Sequence, residues 1–123
     1  MKFAEDNNKD QYQITAYDDD SVHVNDKAFN KGFIVMPKHF IHDWQPQHYA
    51  DLHVTDLDIL FNLKPSVILL GTGAKQIFPP KEIYLAFVKS GIGFEIMDTQ
   101  AACRTFNILM SEDRNVAAAM FIS

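Results

Sequence analysis

This sequence predicts an α/β fold: a mostly parallel sheet with helices, preceded by an antiparallel β meander. Three observations carry that reading. Val67-Ile68-Leu69-Leu70 is apolar at every position, as a strand covered on both faces must be. From there the chain alternates strand, helix, strand, helix, strand through Ile122, which implies right-handed crossovers and parallel pairing. Before Pro37 the pattern is instead short apolar runs separated by Asp and Asn turns.

Residues 1–12 are polar and expected to be loose. Gln13 to Tyr17 alternates as a strand, Asp18-Asp19-Asp20-Ser21 is a turn, and Val22-His23-Val24 is a second strand. Asn25-Asp26 offers a further turn before Lys27-Ala28-Phe29, and Phe33 to Met36 is a strand stopped by Pro37. His39 to Trp44 reads as one more strand, broken by Pro46, with Gln47 to Asp51 as loop. Thr55 and Asp58 resemble a capping box opening a short helix that Pro65 terminates.

Pro79-Pro80 opens the next helix, which runs through Lys89. Ile83, Phe87, Leu85 and Val88 are its expected buried residues, and Gly91 stops it. Ile92 to Met97 is a strand. Asp98 or Thr99 caps a helix to about Ser111. Arg114 to Ile122 is the last strand, and Ala117-Ala118-Ala119 places it centrally, where both faces are approached closely.

The 123 residues fit one domain, 1–123, with enough apolar content (47%) for a core. A net charge of -5 without a Lys/Arg cluster argues against nucleic acid and against anionic membrane surfaces as partners. Cys103 is the single cysteine, which fits a reducing compartment. No apolar run is long enough to span a membrane, and the start shows neither signal-peptide nor transit-peptide character. The expectation is a cytoplasmic protein without stable membrane insertion.

Candidate chemistry gathers after the first parallel strand. Gly71-Thr72-Gly73 sits where glycine-rich loops cradle phosphate, but it lacks the third glycine of a dinucleotide fingerprint and the Gly-Lys-Ser/Thr ending of a P-loop. The expected role of these glycines is a tight turn, with anion binding as the alternative. Asp98 and Thr99 read first as a helix cap, and second as groups in a crevice beyond the strand ends. Cys103 reads as a packed core thiol. Arg104, if inward, needs a carboxylate, with Glu95, Asp98 and Glu112 as candidates. Glu95 alternates away from Phe94 and Ile96; it is either a solvated carboxylate or a buried acid of raised pKa. The five histidines lack metal-ligand spacing, so neither metal nor cofactor is expected.

Ile68-Leu69-Leu70-Gly71-Thr72-Gly73, Glu95-Ile96-Met97-Asp98-Thr99, Ala101 to Leu109 and Glu112 to Ala119 occur in order. Together they resemble a small uncharacterised-domain family that includes mitochondrial complex I assembly factor three and the adipogenesis-associated single-domain protein of animals. Two turns depart from its pattern: Asp18-Asp19-Asp20-Ser21 replaces a glycine-rich start, and Asp113 stands at a usual glycine. The resemblance implies a three-layer α/β fold whose central mixed sheet has about five strands, with an added β layer. It implies no established enzyme activity, and roles exercised through protein partners. The resulting expectation is a non-catalytic protein-binding or assembly module, able to self-associate through an open meander edge. The alternative is a small-molecule or anion site, enzymatic or not, built from Gly71, Thr72, Gly73, Glu95, Asp98, Thr99 and Arg104.

Overall fold

A computed structural model describes residues 11–123 of the chain. Of the stretch expected to be loose, residues 1–10 lie outside the described residues; Tyr12 donates its N–H to Pro37 O at 2.8 Å.

The meander forms a sheet of its own. Strands β1 (Ile14–Tyr17), β2 (Val22–Val24) and β3 (Lys27–Phe29) pair antiparallel in that order. Asn25 (φ 48°) and Asp26 (φ 70°) make the two-residue turn between β2 and β3, a backbone shape that Asn and Asp tolerate and that suits the strand twist. At the Asp18 turn, Asp18 Oδ1 accepts from the N–H groups of Asp20 (2.8 Å) and Ser21 (2.9 Å). A carboxylate thereby organises this acidic turn.

The next two strands, β4 (Phe33–Val35) and β5 (Phe40–Ile41), join a second sheet with β6 (Val67–Thr72), β7 (Gly93–Met97) and β8 (Val116–Phe121). Its order is β5-β4-β8-β6-β7, with β8-β6-β7 parallel and β4 antiparallel to both neighbours. The described residues thus form an α/β fold of a five-stranded mixed sheet, a three-stranded antiparallel sheet and three α-helices. The alanine run lies in β8, at the middle of the large sheet, and is fully buried. Alternation along β8 sends Val116, Ala118 and Met120 to one core and Ala117, Ala119 and Phe121 to the other. Helix α3 (Thr99–Ser111) and the small sheet cover the first face; α1 (Asp58–Asn62) and α2 (Lys81–Ser90) cover the second.

Several local expectations shift. The His39–Trp44 strand shrinks to Phe40–Ile41, while Trp44 packs on Phe121 at 5.4 Å and donates its indole N–H to Asp56 O at 3.2 Å. The capping box is His53/Asp56 rather than Thr55/Asp58, because a 3-10 turn (Val54–Leu57) precedes α1. Leu85 and Val88 are exposed; α2 buries Ile83 and Phe87, a narrower stripe than expected.

Asp113 holds a left-handed φ of 61°, a position where glycine escapes the Cβ penalty. Asp113→Gly is therefore expected to stabilise the protein by about 1 kcal/mol, read as a higher urea midpoint at unchanged slope.

Candidate functional site

The carboxyl ends of β6 and β8 meet the start of α3 at one side chain. Thr99 Oγ accepts from Gly73 N–H at 2.8 Å and donates to Phe121 O, while the Thr99 N–H donates to Gly73 O at 2.9 Å. Thr99 is 6% exposed, so these bonds form out of water. Asp98 is the N-cap of α3, its Oδ1 accepting from Ala101 N–H at 2.9 Å.

Gly71-Thr72-Gly73 is not a turn as a unit. Gly71 and Thr72 are the last residues of β6, and Gly73 alone leaves the strand, at φ 104°. Gly71 sits at a close approach: a Cβ there would lie 3.0 Å from both Met120 Sδ and Thr99 Oγ, tight enough that these side chains would have to give way. Thr72 Oγ shapes the following loop, donating to Lys75 O and accepting from Ile77 N–H at 3.0 Å. Beside these residues lies a cavity of about 20 Å³, room for roughly one water, with Tyr17, Gly73 and Thr99 in its wall. Gln100 Nε2 reaches Asp19 Oδ1 across it at 3.2 Å.

Arg104 is exposed and donates to Tyr17 Oη at 2.9 Å rather than to a carboxylate. That hydrogen bond, reinforced by the fields of Tyr17 and Asp98, holds its guanidinium above its usual pKa. One turn on, Asn107 clamps Ile14 with two bonds, Nδ2 to Ile14 O (2.7 Å) and Oδ1 from Ile14 N–H (3.1 Å). Arg104 and Asn107 therefore fasten α3 to β1, and the motif is a seam between layers. Glu95 is solvent-exposed on the edge strand β7. Of the seven candidate residues, Gly73 and Thr99 line the small cavity, and Gly71, Thr72, Glu95, Asp98 and Arg104 lie outside its wall.

Burial pushes the Cys103 thiol up to about 12 from 9.0, partly offset by Arg104. The thiol stays protonated in the native state through pH 9–12 while the unfolded chain ionises, so its contribution to stability falls as pH rises through that window. Native Cys103 is expected to be unreactive toward Ellman's reagent at pH 8 and to react fully in urea; rapid native labelling would refute this burial. Among the described residues no group of three His, Cys, Asp or Glu is placed to hold a metal ion.

A different feature emerges between β6 and α2. Ile77 and Phe78 are 51% and 66% exposed, and the backbone of Ile77 is held on both sides. Ile77 N–H is held by Thr72 Oγ, and Ile77 O accepts from Tyr49 Oη at 2.7 Å. Burial raises the Tyr49 hydroxyl to about 12, so it stays a donor at neutral pH. Pro79 is buried, and Pro80 caps α2. Beyond it, Tyr84 and Val88 continue an exposed apolar stripe one helical turn apart, with Tyr84 edge-on to Phe94 at 5.5 Å. The sequence carried a signal for this surface: an apolar pair before two prolines, outside any periodic element.

A small α/β domain with an organised strand-end junction and an exposed apolar loop is the class these features define. Residues 14–121 match the family described as a protein of unknown function (DUF498/DUF598), and the chain belongs to that family. A crystal structure of a Bordetella parapertussis protein superposes with a TM-score of 0.82 at 36% identity, covering 93% of this chain and 98% of that one. The NADH dehydrogenase [ubiquinone] 1 alpha subcomplex assembly factor 3 of Danio rerio is 33% identical over 109 residues, 87% of this chain and 62% of its own length. The 13 kDa major membrane protein of Francisella tularensis subsp. holarctica is 43% identical over 61 residues, 50% of each chain. The chain thus spans half to under two-thirds of the length of these two curated relatives. No helix among the described residues is long and apolar enough to cross a membrane.

Proposed function

We propose that the chain is a non-catalytic docking module that engages a protein partner through the face formed by Ile77, Phe78, Tyr84 and Val88. The observation that carries this reading is the exposed Phe78 beside Ile77, whose backbone N–H and O are both held by side chains. Exposed apolar patches mark interaction surfaces, and aromatic anchors presented without conformational freedom bind at low entropic cost. Kinship with proteins named as assembly factors supports a role exercised through protein contacts. The strand-end junction, whose polar groups are turned on one another, does not favour the small-molecule alternative.

The test is affinity capture from native cells with the tagged full chain and its Phe78→Asp variant in parallel. A partner recovered by the first and lost by the second supports the proposal. Equal recovery by both overturns this face as the docking site.

A further inference from the structure

A second concavity lies at the far edge of the fold, where β3 of the small sheet and β5 of the large sheet run out side by side. It measures about 390 Å³, within the range of small-ligand sites. Tyr12, Val24, Phe29 and Phe40 give it an apolar lining. The rings brace one another: Phe29 meets Phe40 edge-on at 4.8 Å, and Tyr12 and Phe33 each lie 5.5 Å from Phe40. His42 closes one side, 5.6 Å from Phe40 and 5.7 Å from Phe29. The one charged side chain in the lining is Lys27, whose Nζ lies 5.9 Å from the centre of the Phe29 ring. Asn25 completes the lining, so no described lining residue is a carboxylate, in a chain whose net charge is -5. An ammonium group beside aromatic walls, with no carboxylate among the described lining residues, selects an apolar molecule bearing negative charge.

We propose that this groove binds a small amphiphilic carboxylate, its apolar body against Phe29 and Phe40 and its carboxylate paired with Lys27. The site is separate from the strand-end junction and from the Phe78 face, and it stands or falls independently of the docking proposal.

Decanoate, with decanamide as its uncharged counterpart, provides the test by amide chemical-shift titration of the full-length protein below the micelle concentration. Shifts centred on Val24, Lys27, Phe29 and Phe40 are expected, with decanoate bound more tightly than decanamide. Lys27→Glu should weaken decanoate by about ten-fold or more and leave decanamide unchanged, whereas Lys89→Glu on α2 should affect neither. The amide spectrum of Lys27→Glu reports whether the variant is folded. Absence of shifts at the groove, equal affinity for the two probes, or shifts centred on Phe78 would each overturn the proposal.

Discussion

Replacing Thr99 with valine is expected to lower the unfolding free energy by about 3 kcal/mol, since two buried backbone groups lose their side-chain partner. The valine keeps the shape and removes the hydroxyl, so Gly73 N–H and Phe121 O are each left facing a methyl group. An unsatisfied buried donor or acceptor costs about 1–3 kcal/mol, a large share of a domain's total stability. Thr99→Ser retains the oxygen and is expected to cost about 1 kcal/mol. Urea titrations of the three proteins at a common slope separate these outcomes. A valine variant as stable as the serine variant would mean that the junction is not held by this hydroxyl.

Phe78→Asp is expected to leave stability within about 0.5 kcal/mol of the parent, because Phe78 is largely exposed. Partner binding should nevertheless fall by about thirty-fold or more, the loss typical of an aromatic anchor at the centre of an interface. The contrast between the two variants is the point. Thr99 acts within the molecule and Phe78 beyond it, so stability and partner binding should respond in opposite patterns. Thr72→Val would couple them: it frees Ile77 N–H and loosens the loop that presents Phe78.

Much of the large sheet was legible because its strands bury both faces and read as continuous apolar runs. Val67–Leu70 and Ala117–Ala119 were placed on this ground, and both lie on interior strands, β8 at the middle of the sheet and β6 beside it. The Asp98 cap followed from local chemistry alone. Periodicity could not show where α3 would dock, so Arg104 was read as a search for a carboxylate when its partner is Tyr17, 87 residues away. The Gly71-Thr72-Gly73 segment misled for a related reason. Glycine signals a turn and close packing alike, and Gly71 is there for packing against Met120 and Thr99. The stripe of α2 was overestimated because amphipathic spacing does not distinguish a buried side chain from one kept apolar and exposed, as Leu85 and Val88 are. Nor could the sequence assemble the groove of Phe29 and Phe40, whose strands belong to different sheets.

Photo-crosslinking in native cells tests the docking account most directly. Benzoylphenylalanine would replace Phe78 in one protein and Ile108, also apolar and exposed but on α3, in another. The account predicts a discrete crosslinked partner from position 78 and none from position 108. The same products from both positions, or none from position 78 with folded protein present, would contradict it.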